Sequence, residues 1–173
     1  MKIAITGHTS GIGKSLFDYY ESAEGLLRDD TALGFSRSNG YNINNPQKII
    51  EQSLDSDVFI NNAYDGFNQV SLLYELINNG YESKIINISS NSSDGIKNHI
   101  HPYAIAKYAL DKASEQLFYR GHNVTNLRFG WVDTPRVSEK AKDKKKISTD
   151  YVVNIIEWVL NQPHRIKEMT ICP

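Results

Sequence analysis

Apolar residues along this chain fall into short continuous runs separated by segments of helical period. The strand candidates are Lys2–Thr6, Thr31–Ser36, Asp57–Asn61, Lys84–Ser89, Val124–Phe129 and Glu168–Cys172, several of them continuous in Ile, Val, Leu or Phe, and a shorter one lies near Tyr41–Ile43. Unbroken apolar runs of this length suit parallel strands covered on both faces. Helical patterns fall between them, at Gly13–Glu21, Pro46–Leu54, Gln69–Asn78, Tyr103–Arg120 and Thr149–Leu160. Strand and helix alternate from end to end, with no linker and no repeat. That alternation predicts an α/β fold, a doubly wound parallel sheet with helices on both faces and ligands at the carboxyl ends of the strands.

The length, 173 residues, suits a single domain spanning the whole chain. A formal charge of -1 gives no electrostatic basis for binding nucleic acid or an anionic membrane. No stretch approaches a membrane span, and the first apolar run is too short for a signal peptide. Cys172 is the one cysteine, which leaves no disulfide framework and reads as a small apolar residue on a final strand. The cytoplasm is the expected compartment, and no metal site is expected. The charge-rich stretch from Glu139 to Lys146 reads as a solvated loop before the last helix.

Chemistry enters with the turn after the first strand, Gly7-His8-Thr9-Ser10-Gly11-Ile12-Gly13. Gly7 permits the tight turn, Gly11 lets backbone approach a pyrophosphate, and Gly13 allows close packing of helix on sheet. The continuation into Lys14-Ser15 nearly spells the phosphate loop of nucleotide hydrolases. That motif needs a glycine separated by four residues from Gly-Lys-Ser, and its place is taken by His8, with Gly7 one residue too early. The aspartate that would hold magnesium is also missing, because Val58-Phe59-Ile60 ends in Asn61-Asn62. A dinucleotide cradle is the better reading.

A second signal is Tyr103-Ala104-Ile105-Ala106-Lys107, which sets a phenol and an ammonium one turn apart on one helix face. A nearby ammonium lowers a phenol's pKa from its ordinary value near 10 and makes it a usable acid or base. Three strand ends accompany the pair: Ser89-Ser90, Asn61-Asn62-Ala63, and the segment from Asn126 through Gly130, Val132 and Thr134 to Pro135. With the glycine loop, and in this order, the set resembles the short-chain dehydrogenase/reductase family from Met1 to about Pro135, with the Rossmann-like sheet that the family implies.

The resemblance implies roles. Tyr103 is the general acid/base, Lys107 lowers its pKa and holds the nicotinamide ribose, and Ser90 hydrogen-bonds the substrate carbonyl, with Ser89 structural. Asn68, opening the helix before the serine strand, is the candidate for the family's proton-relay asparagine. Asn61, Asn62 and Ala63 support the sheet edge and approach the adenosine ribose. Thr134 meets the carboxamide or phosphate region, with Gly130 and Val132 also in the cofactor set. The glycine-loop residues Gly7, His8, Thr9, Ser10, Gly11, Ile12 and Gly13 complete it.

Cofactor choice falls at the end of the second strand, where Ser36-Arg37-Ser38 offers a guanidinium fork and two hydroxyls and no carboxylate. This favours a 2′-phosphate, hence NADP(H) over NAD(H). Asn42 and Ile43 follow near the adenine. The implied activity is an NADP(H)-dependent oxidoreductase moving a hydride to or from a small carbonyl or alcohol substrate. The alternative is a catalytically weak NADP-binding regulator or scaffold of the same fold.

The chain also departs from the family. It is shorter than most members, Tyr64 stands where the Asn-Asn-Ala segment usually continues with glycine, and the substrate lid before the last helix is reduced. Apolar residues on Gln69–Asn78 and small ones on Tyr103–Arg120 lead to the expectation of a homodimer through these helices.

Overall fold

The computed structural model describes residues 1–22, 28–95, 100–139 and 141–173. Among them, six strands form one sheet: β1 (Lys2–Thr6), β2 (Thr31–Phe35), β3 (Val58–Asn61), β4 (Lys84–Ser90), β5 (Val124–Phe129) and β6 (Glu168–Ile171). Their order is β2-β1-β3-β4-β5-β6, and every neighbouring pair is parallel. The helices are α1 (Gly11–Tyr20), α2 (Gln47–Ser53), α3 (Asn68–Asn78), α4 (Pro102–Tyr119), α5 (Pro135–Ser138) and α6 (Thr149–Leu160).

The continuous apolar strands are explained by two cores, one on each face. Ile3 and Ile5 of β1, Val58 and Ile60 of β3, Ile86 and Ile88 of β4, and Leu127 and Phe129 of β5 pack with α1 and α6. The intervening Ala4, Phe59, Ile85 and Val124 pack on the opposite face with α2, α3 and α4. Successive strand residues point to opposite faces, so a sheet covered twice favours apolar residues at successive positions. Chain order reverses beside β1, since β2 lies on one side of it and β3 on the other. A crevice opens at such a switch point, at the carboxyl ends of the strands.

Some expectations need correction. Tyr41–Ile43 is not a strand of the sheet. It contributes only a bridge between Asn42 and Asn45, because Asn42 turns the chain by accepting from Asn44 N through its side chain and from Asn45 N through its carbonyl, at 3.2 and 3.0 Å. β2 is therefore the sheet edge. Cys172 lies beyond β6 and is exposed. The charge-rich stretch, of which Lys140 is outside the described residues, is not simply solvated. Buried Ala141 lies within it, and Ile147, which follows it, is buried and bridges Val132 in parallel.

The face assigned to a dimer is narrower than its composition suggests. Leu72, Leu73, Leu76, Ala104, Ala106 and Ala113 are buried within the molecule's own helix layer. Ile105, Tyr108 and Tyr119 are the large hydrophobic residues that α4 leaves exposed.

Candidate functional site

The glycine loop is shaped by contacts that leave no room for side chains. Gly7 and Gly11 adopt φ of +73° and +54°, which disfavour any residue with a Cβ. A Cβ on Gly13 would lie 2.3 Å from Gly7 O and 2.6 Å from Asn62 Nδ2. Thr6, at the end of β1, ties this loop to the end of β3. Its Oγ1 accepts from Asn62 N and Ala63 N at 2.9 and 3.0 Å, and Asn62 Nδ2 donates to Thr6 O at 2.9 Å. Ser10 is the N-cap of α1 but makes no side-chain cap bond. The first-turn amides of α1 are thus left for an anion, with the helix dipole behind them.

A cleft of about 740 Å³ runs across these strand ends, a size typical of small-molecule and cofactor sites. Gly7, Thr9, Ser10, Gly11 and Ile12 line its centre, with Asn62 and Ala63 beside them. Ser36, Arg37, Ser38, Asn42 and Ile43 line one end; Ser90, Tyr103, Lys107, Gly130, Val132 and Thr134 line the rest. Thr134 closes on the glycine loop, its methyl 3.2 Å from where a Cβ of Gly11 would stand.

Four expected site residues do not line the cleft: Gly13, packed against Gly7 O and Asn62, and three that lie elsewhere. His8 turns its ring away from the cleft, against Phe17 at 4.9 Å between centroids and over Gly34, where an added Cβ would come within 2.4 Å of the ring. Asn61 is buried and donates to Gln69 O at 3.0 Å and Asn87 Oδ1 at 2.9 Å, bracing β3 against β4 and α3 without touching the cleft. Asn68 donates to Asp65 Oδ2 at 3.1 Å, on the solvent side of α3.

The polar residue of α3 that reaches the candidate lysine is Gln69. It is buried, its Oε1 accepts from Lys107 Nζ at 2.8 Å, and its Nε2 donates to Asn61 O at 2.6 Å and Ile88 O at 3.2 Å. Lys107 Nζ also donates to Ile88 O at 2.7 Å. Helical phase carries the signal for Gln69, since it shares a stripe at i, i+3, i+4 and i+7 with buried Leu72, Leu73 and Leu76.

Tyr103 and Lys107 sit in the first two turns of α4, which His101 caps by accepting from Ala104 N. Lys107 is 3% exposed, and burial pulls its pKa down to about 7, with the Asp111 carboxylate opposing. Burial likewise raises the pKa of Tyr103, while the Ser90 hydroxyl and the charge of Arg136 pull it back. Lys107 Nζ lies 5.6 Å from the Tyr103 ring centroid and 5.7 Å from that of Tyr64. Tyr64 packs edge-on to Tyr103, with 4.8 Å between centroids, and so forms a wall at this end. Arg136, on α5, places its guanidinium over both rings, 5.3 Å from Tyr64 and 5.9 Å from Tyr103. Gln69 and Arg136 were missed by the motif reading, because no motif names them, and Tyr64 was read only as a departure from its segment.

Beneath this end lies a buried polar network. Asp111, one turn beyond Lys107, accepts from Ser89 Oγ at 2.5 Å, Ser93 Oγ at 2.8 Å and Asn126 Nδ2 at 2.9 Å, and pairs with Arg128 Nε at 3.3 Å. It joins β4, β5 and α4 where the candidate residues emerge. The cleft fits a nicotinamide dinucleotide in two respects: a diphosphate suits the glycine cradle, and Arg37, which forms no ion pair among the described residues, suits a ribose phosphate.

No protein-family model matches the chain, and no curated protein matches its sequence. Solved structures do match. A small-chain dehydrogenase in complex with NADPH aligns at 15% identity over 100% of this chain and 96% of its own, with a TM-score of 0.74. L-sorbose reductase from Gluconobacter frateurii, complexed with NADPH and L-sorbose, aligns at 15% identity over 99% and 94%, with a TM-score of 0.73. 4-Hydroxyisoleucine dehydrogenase complexed with NADH aligns at 15% identity over 99% and 96%, with a TM-score of 0.69. These likenesses, together with the six-stranded parallel sheet, give the chain the fold of the short-chain dehydrogenases.

Proposed function

We propose that this protein is an NADP(H)-dependent oxidoreductase acting on a small carbonyl or alcohol compound. The observation that carries the reading is the convergence of Ser90, Tyr103 and Lys107 at one end of the cleft whose other parts are the glycine cradle and Arg37. A binding module has no need of a buried lysine beside a shielded phenol. The neighbours complexed with NADPH and NADH support the cofactor class, and Arg37 with two serines and no carboxylate supports the phosphorylated form.

A nicotinamide held by the glycine cradle and Lys107 would supply the hydride for reduction of the carbonyl carbon. The chain's own groups handle the proton. Tyr103 Oη gives a proton to the carbonyl oxygen while Ser90 Oγ hydrogen-bonds that oxygen. Lys107, kept in place by Gln69 and the Ile88 carbonyl, stabilises the phenolate that remains. Its own pKa near neutrality sets its charge where the proton transfer is most responsive to it.

NADPH consumption against a panel of aldehydes and ketones tests the reading. Tyr103→Phe is expected to cut turnover by about 100- to 10,000-fold, the range for general acid/base catalysis, with NADPH affinity nearly intact. Full activity in Tyr103→Phe, in an assay in which the native protein turns over, would overturn the mechanism.

A further inference from the structure

We propose that the substrate is a short oxo acid, or the matching hydroxy acid, whose carboxylate is held by Arg136. The inference rests on the oxidoreductase reading and narrows it to a substrate class. Arg136 lines the cleft at its chemical end, and among the described residues it makes no hydrogen bond or ion pair. Two acids lie three residues from it in sequence: Glu139, which forms no ion pair with it among the described residues, and Asp133, which is engaged by Ser138 at 2.6 Å and Lys146 at 3.6 Å. The Arg136 guanidinium lies over the rings of Tyr64 and Tyr103, a stacking that restricts its rotamers and presents its donors before any ligand arrives.

Position separates this cation from the one assigned to the cofactor. Arg37 follows β2 and Arg136 follows β5, with β1, β3 and β4 between those strands, a separation of about 19 Å at the usual strand spacing. One phosphate cannot meet both. A ligand whose carbonyl oxygen lies at Tyr103 and Ser90 has Arg136 over the same Tyr103 ring, so its anionic group stands only a few bonds from the reacting carbon. A guanidinium fork matches a carboxylate with two parallel hydrogen bonds. The short lid matters less for such a substrate, because one charge-assisted contact supplies the positioning that a larger apolar enclosure would otherwise give.

The test compares α-, β- and γ-oxo acids with their methyl esters, using NADPH and the full chain, in the native protein, Arg136→Gln and Arg136→Lys. Binding of the unreactive acids oxamate, malonate and glutarate in the presence of NADP+ is measured by calorimetry alongside. At least one acid is expected to be preferred to its ester. Arg136→Gln should lower the acid-to-ester ratio of kcat/KM by about 10- to 100-fold, the scale of a charge-assisted hydrogen bond, and should abolish binding of the matching unreactive acid. Arg136→Lys should restore part of both. The ratio is taken within one protein, so a variant that is merely weakened leaves it unchanged. Equal turnover of acids and esters by the native protein overturns this proposal and leaves the reductase reading standing. Binding of an acid through Arg136 with no carbonyl reduced supports the anion site and sinks the reductase reading. Arg136→Gln weakening NADPH and NADH equally, with acid binding unchanged, overturns the proposal by assigning the guanidinium to the cofactor. Failure of all three acids to bind overturns it as well.

Discussion

The two ends of the cleft are built in opposite ways. At the Arg37 end the side chains stand on an exposed turn and are held by near neighbours in sequence. Ser36 N donates to Asn39 Oδ1, Ser36 and Ser38 share a hydroxyl contact at 2.8 Å, and Asn39 Nδ2 reaches back to Gly34 O. At the Tyr103 end the groups come from β4, α3, α4 and α5 and are locked by contacts distant in sequence, such as Gln69 with Lys107 and Arg128 with Asp111. A site built locally can change its ligand preference by one substitution. A site built from several elements cannot lose one member without disturbing the others.

Lys107→Met gives the largest effect, since it removes the cation beside Tyr103, and turnover should fall by about 100- to 10,000-fold. The same variant has a signature in stability. Burial holds the Lys107 pKa at about 7 in the folded protein, against about 10.4 for a free lysine. Between those values the unfolded chain carries a proton that the folded protein lacks, so the destabilisation from burying this lysine is relieved as pH rises. The native protein should therefore gain stability relative to Lys107→Met from pH 7 to 9, measured by denaturant unfolding in the absence of ligand. A constant difference over that range would show that the ammonium stays charged when buried.

Arg37→Ala attacks the other end. NADPH affinity should fall by about 10- to 100-fold, as expected for one charge-assisted phosphate contact, with NADH affinity and turnover at saturating cofactor nearly unchanged. Equal weakening of the two cofactors in a titration would remove the phosphate role from Arg37 and, with it, the locality of that end.

A smaller effect separates two adjacent residues of α3. Gln69→Leu takes an acceptor from Lys107 and a donor from the carbonyls of Asn61 and Ile88, and should lower turnover by roughly tenfold and stability by about 1–3 kcal/mol. Asn68→Ala, on the solvent side, should change stability by no more than about 0.5 kcal/mol and leave turnover unaltered. The reverse pattern would restore the relay to Asn68.

This pair shows what the sequence made legible. The strands could be read because a sheet covered on both faces favours unbroken apolar runs, and the cradle because Gly7, Gly11 and Gly13 answer to backbone sterics that are local. The pairing of Tyr103 with Lys107 could be read because their spacing is that of one helix face, whereas the choice of Ser90 over Ser89 came only from the family resemblance. Gln69 was hidden by the motif, which names an asparagine, although helical phase turned it inward with Leu72, Leu73 and Leu76. Tyr64 and Arg136 meet only through the approach of the β3 end to α5, a contact between residues far apart in the chain that no local pattern encodes. Tyr41–Ile43 failed for the opposite reason, since the local turn chemistry of Asn42 through Pro46 outweighed three residues of strand propensity.

The smallest expected effect concerns His8, which the motif counts as cofactor-binding and which the structure turns toward Gly34 and Phe17. His8→Ala should leave NADPH affinity unchanged, because the ring does not line the cleft. Gly34→Ala would thrust a Cβ to within 2.4 Å of that ring, and with Phe17 behind it the ring has little room to retreat. Such overpacking costs about 1–3 kcal/mol. The double variant should recover most of that loss, because removing the ring removes the clash, and the coupling in a double-mutant cycle reads the contact directly. The His8 Nδ1 is buried without a hydrogen-bond partner, so deleting the ring also relieves an unsatisfied polar atom, and the single His8 variant should lose less than an ordinary buried aromatic does. Additive losses in the cycle, or weaker NADPH binding in His8→Ala, would place the ring in the cleft and make the centre of the site, like its chemical end, dependent on side chains as well as backbone.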